Sequence, residues 1–206
     1  MHLSPQLTGN IYLVLLKSPM HGLNKIVVIG PESTGKSTLC EQLSVHYHTI
    51  WCREYAREYL LQNGMDYTFD DLLTIAKGQL QLEDKAIGQV CDDAVPNEYA
   101  FGRRLLFIDT DMYVMKVWCE FVFGKCHQWI LDQIVERKYD LYLLCNTDLP
   151  WVKDELREYP DVVSRQKLYS IYKDIMINQS VPWVDISGSY EQRFEKARAA
   201  VDALIQ

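Results

Sequence analysis

Between residues 25 and 47 the chain passes from an apolar run, through a loop bounded by glycines, into a helical pattern. Lys25–Ile29 reads as a buried strand, and Leu39, Leu43 and Tyr47 fall on one face of a helix. Between them stands Gly30-Pro31-Glu32-Ser33-Thr34-Gly35-Lys36-Ser37-Thr38, which fits GxxxxGK[ST] in the strand-before, helix-after setting that this loop requires. Each part has a chemical reason. Gly30 and Gly35 let the backbone curl so that successive N–H groups converge on phosphate oxygens. The helix starting near Lys36 adds the positive end of its dipole. Lys36 is expected to reach the β- and γ-phosphates, and the Ser37 hydroxyl to ligate Mg²⁺. The expected nucleotide contacts are therefore Gly30, Glu32, Ser33, Thr34, Gly35, Lys36, Ser37 and Thr38, and the expected cofactors are ATP and Mg²⁺.

Composition bounds what surrounds this loop. The chain has 206 residues, 48 % of them hydrophobic, with 21 Lys+Arg against 28 Asp+Glu for a net charge of −7. That balance excludes a disordered chain and disfavours a nucleic-acid partner, whose phosphates an acidic surface repels. Ile11–Leu16 is apolar but far short of the ~20 residues that span a bilayer, so no membrane partner is expected. Met1–Asn10 contains no Lys or Arg, unlike the start of a secretory signal. The cysteines form no CxxC pair, which fits buried free thiols in a reducing compartment and a cytoplasmic protein. Residues 1–24 are expected to be a leader outside the core, and 25–206 one domain.

Along that domain, short apolar runs alternate with longer helical patterns. The runs Lys25–Ile29, Thr49–Cys52, Leu105–Ile108, Tyr139–Cys145 and Val181–Ile186 are continuous rather than alternating, as in parallel strands buried on both faces. Val114, Val117, Trp118, Phe121 and Val122 share one helix face and are expected to pack in the core. Phe194, Ala197, Val201, Leu204 and Ile205 form a similar stripe on a closing helix. Residues 70–89 predict a more polar helix, in which Gly78 costs about 1 kcal/mol relative to Ala and so marks close packing or a ligand. The expected architecture is an α/β P-loop fold of three layers: a five-stranded parallel sheet, helices on both faces and a short lid.

Accessory residues discriminate among phosphate-loop activities. Asp109 ends the apolar run Leu105–Ile108, where an acid would hold the metal directly or through water. Thr110 rather than Glu follows it, which argues against dedicated hydrolysis. Cys145-Asn146-Thr147-Asp148 lacks the Lys and the spacing of an N-K-x-D guanine reader. A small-molecule kinase instead needs an acceptor pocket and an arginine-bearing lid. Pro150–Arg157, followed by Arg165, is a charged segment in the right place, expected to be helical, with Arg157 and Arg165 clamping the transferring group. Glu54 leaves the carboxyl edge of the second strand, where ligands of open parallel sheets bind. Glu54 and Asp111 are both candidates for contacting or deprotonating an acceptor hydroxyl, although Asp111 also suits a helix N-cap. Tyr55 and Arg57 beside Glu54 are candidate substrate contacts, and Glu54 could alternatively pair with Arg57 on one helix face.

These motifs carry a family resemblance from about Lys25 to the C-terminus. G-x-E-S-[ST]-G-K-S (Gly30 to Ser37), E-Y-[AG]-R-E (Glu54 to Glu58), A-x-G-x₅-D (Ala76, Gly78, Asp84), F-I-D-T-D (Phe107 to Asp111) and W-V-x-D-x-L-R (Trp151 to Arg157) occur in that order. The chain resembles NadR-type ribosylnicotinamide kinase domains and the stand-alone P-loop AAA-like ATPases grouped with them. The resemblance implies ATP-dependent phosphorylation of the ribose 5′-hydroxyl of nicotinamide riboside, a small nucleoside substrate, giving nicotinamide mononucleotide. Two departures fall at the substrate end. Arg53 stands where such kinases carry a Trp before the Glu, with Trp51 two positions earlier, and Gln79 stands where a His follows the helical Gly. The DNA-binding and adenylyltransferase domains of the regulators find no counterpart in the 29 residues before Gly30, so no transcriptional role is expected. A kinase for another nucleoside or small hydroxylated metabolite, and a slow nucleotide-dependent regulatory ATPase, stand as rival readings.

Overall fold

A computed structural model describes residues 22–92 and 104–206. Five strands, β1 (Leu23–Ile29), β2 (Trp51–Cys52), β3 (Arg104–Asp109), β4 (Leu141–Cys145) and β5 (Trp183–Ile186), form one sheet in the order β2-β3-β1-β4-β5. Every pairing is parallel. The helices are α1 (Lys36–His46), α2 (Tyr55–Asn63), α3 (Phe69–Cys91), α4 (Met112–Phe123), α5 (Gln128–Glu136), α6 (Val162–Asn178) and α7 (Tyr190–Ile205).

The central strand shows why the sheet is covered on both faces. Ile26, Val27, Val28 and Ile29 are all fully buried, and successive side chains must point to opposite sides. Ile26 and Val28 join Leu39 and Leu43 of α1 with Ala197 and Val201 of α7. Val27 and Ile29 join Val117 of α4 with Leu168 and Met176 of α6. A third cluster packs α2 against α3, α4 and α5 through Ala56, Leu72, Met115 and Ile130. α1, which follows β1, and α4, which follows β3, therefore lie on opposite faces of adjacent strands. Their diverging loops open a crevice at the carboxyl ends, where open α/β sheets bind ligands.

Several boundaries shift from the sequence reading. β1 starts at Leu23, and Leu23 and Asn24, assigned above to the leader, pair with Arg104 and Leu105; residues 1–21 of the leader lie outside the described residues. β2 is shorter than Thr49–Cys52 because the Thr49 hydroxyl is spent on the carbonyl of Leu105 (2.6 Å). β5 begins after Pro182, since the Gln179 side chain already holds the N–H and carbonyl of Val181. The helix expected over 70–89 runs from Phe69 to Cys91, started by a capping box between Thr68 and Asp71. A Cβ on Gly78 would fall 2.1 Å from the Tyr55 ring, so this glycine admits an aromatic side chain from α2.

The lid is the largest correction. Residues 151–160 form no helix, only a turn at Glu155–Leu156. Helix formation needs its N–H groups for carbonyls four residues back, and here side chains take them. Ser33 Oγ accepts from Val152 N (2.9 Å), Asp154 from Leu156 N (3.1 Å), and Glu32 from Glu158 N (3.0 Å) and Tyr159 N (2.6 Å).

Candidate active site

The phosphate loop is held by its neighbours as much as by its glycines. Gly30 has φ 137°, and a Cβ there would meet the Cys145 carbonyl at 2.6 Å. Gly35 (φ 79°) is the N-cap of α1 and offers no side-chain cap, which leaves the first-turn amides free to face an anion. Thr34, itself buried, donates its hydroxyl to Pro31 O (2.7 Å), and Lys36 Nζ donates to the same carbonyl (3.0 Å). Two buried arginines brace the loop from behind. Arg165 donates to Ser33 O (3.4 Å) and Leu149 O (3.1 Å). Arg193 donates to Thr34 O (3.0 Å), Asn146 O (2.9 Å) and Gly188 O (2.9 Å) and pairs with Asp148.

Ser37 Oγ donates to Asp109 Oδ2 at 2.5 Å. Asp109 is 1 % exposed, and its Oδ1 has no partner. Burial first, and then the nearby Glu54 charge, push its carboxyl up to about 6. A buried carboxylate oxygen left unpaired is costly, and a cation beside it would remove that cost. The described residues contain no group of three or more His, Cys, Asp or Glu suited to a metal. A hydroxyl and a single carboxylate fit Mg²⁺, which is commonly bound by few protein ligands together with phosphates and water. Thr110, next in the chain, is β-branched yet left-handed (φ 81°), with its buried Oγ1 also unpartnered. Such conformations persist only where surrounding structure imposes them.

One cleft of about 1000 Å³ runs from this loop across the sheet edge. Its far lobe is apolar, lined by Leu82 and Ala86 of α3, Val117 and Phe121 of α4, and Leu168 and Tyr172 of α6. The α4 stripe thus serves two purposes. Val114 and Val117 pack in the core as expected, but they, Trp118, Phe121 and Val122 also line the cleft. Glu54, the N-cap of α2, makes no capping bond and lines the cleft between loop and lobe. Among the described residues its carboxylate accepts no hydrogen bond. Its charge is felt by Asp109 on one side, and on the other the Tyr172 hydroxyl is raised by burial first and then by the charges of Asp111 and Glu54.

The other predicted residues divide. Gly30, Glu32, Ser33, Thr34, Gly35, Lys36, Ser37, Thr38, Arg57, Asp109 and Arg157 line the cleft with Glu54. Asp111, Tyr55 and Arg165 do not. Asp111 is fully spent: Oδ1 caps α4 through Tyr113 N (3.0 Å) and Val114 N (3.2 Å), and Oδ2 accepts from Tyr142 (2.8 Å). Burial pushes it up to about 6. Tyr55 turns its ring over Gly78 instead of into the cleft. Arg165 is buried beside the loop, where it donates to Ser33 O and Leu149 O. Arg57 pairs with Asp154 of the lid (3.0 Å), not with Glu54. Glu32 holds the lid through Glu158, Tyr159 and Trp151 Nε1 (3.3 Å). Arg157 donates to Ser33 Oγ (3.2 Å) and Val152 O (2.5 Å), which fastens the lid to the loop. Lys153 is exposed, as expected of a surface residue. Arg193 escaped the sequence reading because nothing in its helix marks it as facing the loop.

Comparison with known proteins agrees with this geometry. A family described as an AAA domain matches residues 25–193. The chain belongs to that family. The trifunctional NAD biosynthesis/regulator protein NadR of Salmonella typhimurium strain LT2 is 27 % identical over 174 residues, covering 82 % of this chain and 40 % of NadR. Its Escherichia coli K12 counterpart is 28 % identical over the same length and coverage. The chain therefore spans about two fifths of the length of these relatives. In fold it is similar to a NadR protein solved in complex with NR (TM-score 0.72, 22 % identity, 90 % of this chain and 50 % of that one). Thymidylate kinase from Ehrlichia chaffeensis also shares the fold (TM-score 0.57, 13 % identity, 87 % of this chain and 99 % of that one). The P-loop kinase fold expected from the sequence is the fold observed. Among the described residues no helix is long and apolar enough to cross a membrane.

Proposed function

We propose that this chain is an ATP-dependent kinase that phosphorylates a nucleoside, with the ribose 5′-hydroxyl of nicotinamide riboside as the first candidate acceptor. The observation that carries the reading is the position of Glu54. It is a carboxylate with no hydrogen-bond partner among the described residues, in the cleft between the phosphate loop and an apolar, partly aromatic lobe of the kind that accepts a planar base.

In this reading the loop amides and Lys36 hold the β- and γ-phosphates, and Ser37 with Asp109 holds Mg²⁺. Bound Mg²⁺ would draw the phosphate oxygens together and offset their charge. Glu54 accepts the proton of the attacking hydroxyl as that oxygen bonds to the γ-phosphorus and ADP leaves. Arg157 lies on the lid within reach of the loop and offsets the charge that spreads over the transferring group. The nicotinamide ring of the acceptor is cationic, and acids including Glu54 line the cleft. The kinase resemblance and the NadR and thymidylate kinase folds support phosphoryl transfer to a small acceptor.

A second reading, a kinase for a different nucleoside or small hydroxylated metabolite, is favoured by Arg53. That exposed cation lines the cleft with its guanidinium 5.4 Å from the Trp51 ring. A panel of acceptors incubated with γ-labelled ATP separates the two. Label on nicotinamide riboside supports the first reading and label on another acceptor the second. Free phosphate alone, at a rate no acceptor raises, would instead indicate a regulatory ATPase.

A further inference from the structure

α3 places a buried amide beneath the corner of the cleft that carries Glu54. Gln79 is 1 % exposed. Its Oε1 accepts from Tyr55 N at 2.7 Å, and its Nε2 donates to Arg53 O at 3.2 Å. The same Nε2 lies 3.4 Å from Asp109 O and 3.6 Å from Cys52 Sγ. The amide thus grips the backbone immediately before and after Glu54, and ties that corner to the end of β3 that carries Asp109.

Among the described residues the Glu54 side chain makes no hydrogen bond, so its direction depends on its backbone, which is extended (φ −70°, ψ 118°). The two flanking bonds from Gln79 set that conformation. Gly78 completes the arrangement, because only a residue without Cβ lets the Tyr55 ring settle against α3. Few side chains can replace Gln79. The site needs an acceptor for one N–H and a donor for two carbonyls, from one buried group of this length, and a primary amide supplies both.

We propose that Gln79 is a positioning residue for phosphoryl transfer, fixing the Glu54 carboxylate against the Asp109 end of the phosphate site. The proposal rests on the kinase reading, and its test separates the two. Displacing a general base by about 1 Å is enough to lower a rate on the order of 100-fold without touching the nucleotide. The variants are Gln79→Met, which keeps the volume and loses the hydrogen bonds, Gly78→Ala, which pushes Tyr55 outward, Glu54→Gln, and the double variant Gln79→Met/Glu54→Gln. Each is assayed with the best acceptor of the panel for kcat and acceptor KM, and for ATP affinity with a non-hydrolysable analogue.

Gln79→Met is expected to lower kcat roughly 10–100-fold while ATP affinity changes less than about threefold. Gly78→Ala should lower kcat in the same direction. The double variant should be no slower than Glu54→Gln alone, since Gln79 acts only through Glu54. Multiplicative losses in the double variant, or a Gln79→Met enzyme with unchanged kcat, overturn the proposal while leaving the kinase reading intact. If Gln79→Met does not fold, the same cycle is run with Gly78→Ala and Glu54→Gln and judged by the same outcomes. Wild-type protein that phosphorylates no acceptor overturns the kinase reading and this proposal with it, whereas Glu54→Gln with wild-type kcat overturns this proposal and the role of Glu54 but not phosphoryl transfer.

Discussion

At the residue scale the phosphate site combines function with a cost to stability. Asp109 is buried with one oxygen unpaired, and its carboxyl is raised to about 6 from an ordinary value near 3.8. A raised carboxyl means that the folded protein binds the proton more tightly than the unfolded chain. Metal-free protein therefore loses stability at this residue as pH rises from about 4 through about 6, and carries the full cost above that. Asp109→Asn removes the charge and keeps the shape. Its metal-free form is expected to be more stable than wild type in urea at pH 8, by roughly 1–3 kcal/mol, with a smaller gap at pH 5. Phosphoryl transfer should be lost. An equal gap at both pH values would mean that burial of the charge is not what governs this carboxylate. Lys36 and Ser37 were legible in the sequence because spacing within one short loop marks them, and Asp109 because it ends a continuous apolar strand; all three line the cleft. Asp111 was not, because a carboxylate two residues beyond a strand can face the cleft or cap the next helix. Only the neighbouring Tyr142 and the free amides of α4 decide which.

At the element scale the lid and the phosphate loop are one assembly. Glu32 and Ser33 use their side chains on lid amides, and Arg157 returns a bond to Ser33. Glu32→Ala should speed hydrogen exchange at the amides of Glu158 and Tyr159 while leaving β1 and β4 protected. Asp154→Ala removes the half-exposed pair with Arg57, worth at most about 1 kcal/mol, and the bond from Leu156 N, and should change the Glu158 and Tyr159 amides little. Exchange at Glu158 that ignores the loss of Glu32 would refute the clasp. Arg157→Ala is expected to lower kcat more than ATP affinity, and an unchanged kcat would remove Arg157 from the transfer step. The position of the lid could be read from its charge and its Trp and Arg residues. Its irregular backbone could not, because Ser33 and Glu32, which take the N–H groups of Val152, Glu158 and Tyr159, lie more than a hundred residues earlier in the chain. The strands were legible for the opposite reason: continuous apolar runs need no distant partner to identify them.

At the scale of the whole molecule, a net charge of −7 encloses a cleft whose loop end sets Lys36 and Arg157 beside the acids Glu32, Glu54 and Asp109. The sheet order sets that cleft beside β1, and Arg193 on the last helix ties α7 to the phosphate loop and to Asp148 after β4. Arg193→Met should cost about 2–4 kcal/mol by leaving carbonyls and a carboxylate unpaired. It should also weaken nucleotide binding, both readable from thermal melts with and without an ATP analogue. A variant with wild-type stability would show that the loop does not need this brace. The central claim is that one cleft brings ATP and a nucleoside hydroxyl to either side of Glu54. Its most direct test measures ADP and phosphorylated nucleoside together, with nicotinamide riboside present and absent. The account predicts that nicotinamide riboside accelerates ADP formation and that nicotinamide mononucleotide appears in equal amount. ADP formed at the same rate without acceptor, with no phosphorylated nucleoside, would contradict it.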